Sequence, residues 1–198
     1  MRRERTILWA AASLAIVGGI GTAWLGFGGW QARATVSEYA FRPEFQLEDA
    51  TGRTVTQDDF RGRFLLVVFG YTRCPEATPA TLAKVGDVLE GLGWDGDEVQ
   101  ALFISVDPDR DPPSEVADYA AAFHPSILGL TGSPEAIRAT ASELGILYQR
   151  HDKPAAPGGY VMEHSTRILL IGPGGAWRRT FDYGTSATEI LTDLSARL

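Results

Sequence analysis

Apolar residues in this chain fall into short runs separated by polar turns, except near the start. From residue 7 to residue 30 they are almost continuous, and no charged residue lies between Arg5 and Arg33. Further on, Phe45-Gln46-Leu47 and Thr54-Val55 flank the turn Asp49-Ala50-Thr51-Gly52, which predicts a small hairpin. The run Phe64-Leu65-Leu66-Val67-Val68-Phe69 has no polar alternation and predicts a buried central strand. Residues 79–92 then carry Leu82, Val85, Val88, Leu89 and Leu92 at helical spacing, with Gly91 and Gly93 to end the helix.

The same alternation continues to the end of the chain. A strand over 102–106 stops at Asp107-Pro108, and Pro112-Pro113-Ser114-Glu115 opens a helix to 123. A short strand over 127–130 precedes a helix capped by Ser133-Pro134-Glu135 and running to 144. Residues 153–159 read as a Pro/Gly loop. A strand over 167–171, the turn Gly172-Pro173-Gly174-Gly175, an extended stretch over 177–183 and a helix over 187–198 complete the pattern. Strands alternating with helices, closed by a hairpin and a helix, predict a layered α/β domain with a central mixed sheet flanked by helices.

The first apolar stretch is long enough to cross a bilayer core of about 30 Å and is read as one N-terminal transmembrane helix. Trp9, Trp24 and Trp30 suit the membrane interfaces, and Arg2, Arg3 and Arg5 put the N-terminus in the cytoplasm. In a bacterium the domain then lies on the periplasmic side of the inner membrane. Ala32-Arg33-Ala34 allows the alternative of a cleaved signal peptide, although the stretch exceeds a usual signal core. The expected division is 1–33 for the cytoplasmic tip and anchor, 34–43 for a tether and 44–198 for the domain.

Charge narrows the function. Of 18 basic and 25 acidic residues, four arginines and one glutamate lie in 1–33, which leaves the remainder with 14 basic and 24 acidic, net −10. Such a domain repels polyanions, so no nucleic-acid partner is expected. One cysteine also means no internal disulfide.

That cysteine, Cys74, follows the central strand through Gly70-Tyr71-Thr72-Arg73 and precedes a helix start. Unpaired amides and the positive end of the helix dipole favour a thiolate there, although a buried, inert thiol is the alternative. Thr78 before Pro79 is an N-cap and first-turn pair, which explains it structurally.

The stretch Phe69-Gly70-Tyr71-Thr72-Arg73-Cys74-Pro75 resembles the Sco (SenC) family, and the likeness continues in Ser105-Val106-Asp107-Pro108-Asp109-Arg110-Asp111 and Glu163-His164-Ser165. It covers most of residues 40–198. The family's proteins are membrane-anchored, thioredoxin-like copper proteins of cytochrome oxidase assembly. Two cysteines four positions apart and a distant histidine bind their copper. Here the resemblance implies Cys74 and His164 as metal ligands, while the second cysteine position holds Thr78.

Cu(I) prefers thiolate and thioether donors with imidazole, so a threonine hydroxyl is a poor replacement and the site is expected to be weakened. Met162 lies two residues before His164, and in an extended segment both side chains share a face, which makes Met162 a candidate third ligand; core packing is its other reading. His124 reads as a helix end and His151 as the start of a solvated loop. Asp107 could accept from the cysteine loop or tune the thiol, with turn capping as the plain alternative. Asp107, Asp109 and Asp111 do not make a calcium loop, because Pro108 and Pro112 interrupt them and the glycine and distal glutamate are missing.

Three functions remain on these residues. The first is copper binding and delivery in respiratory (cytochrome c) oxidase biogenesis, as a metallochaperone or assembly factor rather than a catalyst, with subunits of a respiratory oxidase or other membrane complex as partners. The second is a metal-free scaffold or accessory subunit of such a complex. The third is a monothiol redox protein that needs an external thiol, since the chain has no resolving cysteine; a peroxiredoxin is disfavoured by Tyr71 three residues before Cys74.

Overall fold

In a computed structural model, residues 41–198 are described. The expected anchor over 1–33 and all but the last residues of the 34–43 tether lie outside them. Among the described residues no helix is long and apolar enough to cross a membrane.

The central strand is β3 (Phe64–Gly70), with all seven residues buried. Successive side chains of a strand point to opposite faces, so an uninterrupted apolar run needs cover on both. Phe64, Leu66 and Val68 face one core, and Leu65, Val67 and Phe69 face the other. β4 (Val99–Ser105) pairs with β3 in parallel, and β5 (Ile127–Leu130) pairs in parallel with β4. On the other side β8 (Ile168–Ile171) is antiparallel to β3, and β9 (Trp177–Phe181) is antiparallel to β8. The order is β5-β4-β3-β8-β9.

Helix α1 (Ala77–Leu92), α2 (Pro113–Ala121) and α4 (Ala187–Ser195) cover the first core through Leu82, Val85, Leu89, Val116, Ile190 and Leu194. Helix α3 (Pro134–Glu143) and the hairpin of β1 (Gln46–Glu48) with β2 (Thr54–Thr56) cover the second. This is the predicted mixed sheet flanked by helices.

At Gly129 in β5 the backbone of α2 lies directly on the sheet: a Cβ there would sit 2.5 Å from the Val116 carbonyl oxygen and 2.8 Å from the Ala117 Cα. Backbone cannot swing aside as a side chain can. Gly129→Ala is therefore expected to destabilise the domain by about 1–3 kcal/mol, read as a lower denaturation midpoint.

Two expectations need correction. Helix α1 begins at Ala77 with Glu76 as its N-cap, so Thr78 lies inside the first turn and is not the cap; Gly91 lies within the helix and Gly93 ends it. The chain around His151 is also not a loop. β6 (Tyr148–Asp152) and β7 (Tyr160–His164) form a separate antiparallel hairpin, and the Pro/Gly segment is its connection.

Candidate metal centre

The site is assembled from three segments: the loop from β3 into α1, the end of β7, and the loop from β4 into α2. The first carries Cys74. Its backbone turns back on itself, with the Cys74 amide donating to the Tyr71 carbonyl at 3.2 Å. The Thr78 amide, in the first turn of α1, donates to Cys74 Sγ at 3.4 Å. Sulfur thus accepts from an early helix amide, the bond an N-cap hydroxyl would accept in other helices.

His164 ends β7 and reaches over this loop. Its Nδ1 is 3.1 Å from the Ser165 carbonyl oxygen, which can only accept, so in the neutral ring Nδ1 carries the proton and Nε2 presents a lone pair. Nε2 lies 3.5 Å from Thr78 Oγ1. Tyr71 meets the imidazole edge-on, with centroids 5.8 Å apart and planes at 89°. Thr78 therefore touches both, through its amide to Cys74 Sγ and its hydroxyl to Nε2, and of the groups that favour the Cys74 thiolate His164 has the largest effect.

The thiol is half-buried. Burial pushes its pKa up, but hydrogen bonds from His164, the Thr78 side chain and the Thr78 and Glu76 amides outweigh it, and the value falls from 9.0 to about 6. Alkylation of Cys74 by iodoacetamide should therefore rise with pH around a midpoint near 6, and His164→Ala should move that midpoint upward. Since the folded state holds the thiolate more tightly than the unfolded chain, the stability this contributes is complete above the ordinary thiol range and is lost as pH falls through about 6.

Thr78 occupies the space between the two. It is 1% exposed, and its Oγ1 is 3.4 Å from the Tyr71 amide. The close approach requires Gly70, where a Cβ would lie 2.7 Å from Thr78 Cγ2. Met162 sits on the same face of β7 as His164, partly buried against the second core. Among the described residues no three His, Cys, Asp or Glu side chains come together as a metal-binding group.

The other acidic and histidine candidates go elsewhere. Asp111, not Asp107, holds the cysteine loop. Its fully buried carboxylate accepts from the Thr72 amide at 2.8 Å, the Thr72 hydroxyl at 2.6 Å and the Ser105 hydroxyl at 2.5 Å. Asp107 instead faces Arg110, with Nε to Oδ2 at 2.6 Å, and accepts from the Tyr160 hydroxyl at 2.7 Å. His124 Nδ1 accepts from the Ser126 amide, and His151 pairs with Glu163 on the exposed side of the hairpin at 2.9 Å. Neither histidine joins Cys74. Sequence reading weighed Asp111 only within a rejected calcium run and did not single out Tyr160, because their partners lie 39 and 53 positions away.

Comparison with known proteins gives the family and the fold. A model of the SCO1/SenC family matches residues 33–198. The mitochondrial SCO2 homolog of Bos taurus is 36% identical over 187 residues, which is 89% of this chain and 70% of that protein. The Sco1 protein of Schizosaccharomyces pombe is 35% identical over 162 residues, 79% of this chain; the chain spans only 60% of that relative's length. The copper-bound structure of Bradyrhizobium japonicum ScoI superimposes with a TM-score of 0.72 at 34% identity, over 80% of this chain and 100% of that one.

Proposed function

Since the chain belongs to the SCO1/SenC family, we propose that it binds Cu(I) through Cys74 and His164 and serves the assembly of a respiratory cytochrome c oxidase. One observation supports this most: Thr78 touches both a thiol brought to a pKa of about 6, through its amide, and an imidazole whose Nε2 is left without a proton in the neutral ring, through its hydroxyl. Both are soft or borderline donors suited to Cu(I), and the Nδ1–H bond to a carbonyl is the outer contact that fixes a ligating imidazole. The Thr78 hydroxyl between them is a hard donor, so the pair binds copper more weakly than a set with two thiolates would. Met162, on the His164 face of β7, is the one thioether that could complete an S,S,N set, since the chain's other methionine is Met1.

In this reading residues 1–33 are a cytoplasmic tip and a single transmembrane anchor, 34–43 a tether, and 44–198 a domain on the periplasmic side. The bilayer and oxidase subunits are its partners. A metal-free scaffold in the same complex is the second reading, favoured by the threonine at position 78.

X-ray absorption at the copper edge of the Cu(I)-loaded chain tests the proposal. Sulfur and imidazole nitrogen together in the first shell are expected, with the nitrogen lost in His164→Ala and one sulfur lost in Met162→Leu. Copper bound only by oxygen and nitrogen would contradict it.

A further inference from the structure

Among the described residues the hairpin that carries His164 belongs to no larger sheet: β6 pairs there only with β7. A two-stranded hairpin is marginal by itself in water, so side-chain ties must set where His164 stands. Met162 and Tyr148 give it an apolar footing on the second core. Apolar contact alone is non-directional and tolerates sliding.

The directional ties converge on Arg110. Its side chain is 9% exposed, and Nη2 lies 2.5 Å from Asp107 Oδ2. Nη1 donates to the Pro157 carbonyl at 2.8 Å and the Tyr160 carbonyl at 3.1 Å. The guanidinium carbon is 3.6 Å from the Tyr160 ring centroid, and the Tyr160 hydroxyl closes the circuit on the free oxygen of Asp107. Arg150, from β6, lies 3.7 Å from the same ring. Gly158 leaves the room, since a Cβ there would meet Arg110 Nη1 at 3.2 Å. Tyr160 and His164 are four residues apart in one strand, so a hold on the first fixes the second.

The loop that supplies Asp107 and Arg110 also supplies Asp111, which anchors Thr72 two residues from Cys74. We infer that Arg110, working through Asp107 and Tyr160, is a positioning residue that holds His164 against Cys74, so that one loop sets the spacing of the two. The consequence for copper rests on the proposed function; the positioning itself does not.

Two readouts on the 198-residue chain separate them. In the copper-free, isotopically labelled chain, the wild type should show a nuclear Overhauser effect between the Tyr71 and His164 rings. Arg110→Gln should abolish it and speed amide exchange in β6 and β7 while β3 and β4 stay protected, and Arg110→Lys, which lacks the fork, should not restore it. In a competition titration Arg110→Gln should weaken Cu(I) binding up to about tenfold, the lower end of the range for loss of a ligand's own outer contact, since Arg110 acts on His164 at one remove. If Arg110→Gln does not fold, Tyr160→Phe carries the same test, with the ring contact weakened by loss of the hydroxyl bond to Asp107. Retention of the Tyr71–His164 effect with unchanged hairpin exchange in the folded variant would overturn the inference. A wild type that takes up no copper would overturn the copper reading, and the ring contact would still decide the positioning.

Discussion

Thr78→Cys is expected to raise the Cu(I) affinity of the chain at least about a hundredfold. Removing even an outer contact of a metal ligand changes affinity 10–100-fold, and this substitution adds a ligand. The frame is ready to receive it. Position 78 is buried in the first turn of α1, its amide already bonds Cys74 Sγ, and its side chain already meets His164 Nε2. A thiol at that point would face the same space as the Cys74 thiolate and the imidazole, and Gly70 leaves room for a sulfur where Cγ2 and Oγ1 now sit. The cost is small, since the bond lost, from the Tyr71 amide to Oγ1, is long at 3.4 Å. Competition against a Cu(I) chelator measures the gain. An affinity equal to that of the wild type would mean that copper does not sit between Cys74, His164 and position 78.

Asp111→Ala is expected to cost about 3–5 kcal/mol of stability and to release the cysteine loop. The carboxylate is fully buried and takes three hydrogen bonds, from the Thr72 amide, the Thr72 hydroxyl and the Ser105 hydroxyl. Hydrogen bonds to a charged group contribute about 1.5–3 kcal/mol each, and losses within one cluster are not additive, so the total stays below their sum. Asp111→Asn keeps one acceptor oxygen and should recover part of the loss. Urea denaturation with Cys74 alkylation followed in parallel checks both halves: the midpoint should fall, and Cys74 should react faster at pH values where its thiolate fraction is already high. A variant of wild-type stability would mean that the loop is held by its own turn.

The sheet was legible because burial on two faces forces an unbroken apolar run in β3, and the helices that cover it show their stripes at Leu82, Val85 and Leu89. The β6 strand was not. Tyr148-Gln149-Arg150-His151-Asp152 is polar and exposed after its first residue, so nothing in its hydrophobic pattern marks a strand, and only pairing with β7 makes it one. Its partner's extension was needed for Met162 and His164 to share a face, and that condition holds.

Cys74 and His164 were legible from motif likeness, and Thr78 touches both across 90 residues of sequence with no local signal to bring them together. Thr78 was misread for a physical reason. Thr-Pro is a sound start signal, but the helix already begins at Ala77, so Thr78 lies inside its first turn and its hydroxyl turns toward the histidine. Asp107 and Asp111 were indistinguishable in the run Asp107-Pro108-Asp109-Arg110-Asp111. Which carboxylate reaches the cysteine loop depends on the turn that follows β4, where the Arg110 and Asp111 amides both bond back to the Asp107 carbonyl and swing Asp111 toward Thr72.

The most direct measurement is the stoichiometry of Cu(I) uptake by the 198-residue chain against a competing chelator, for the wild type, Cys74→Ala and His164→Ala. One copper per chain, lost or weakened by orders of magnitude in both variants, is the expected result. No uptake by the wild type, or uptake that survives Cys74→Ala, would contradict it.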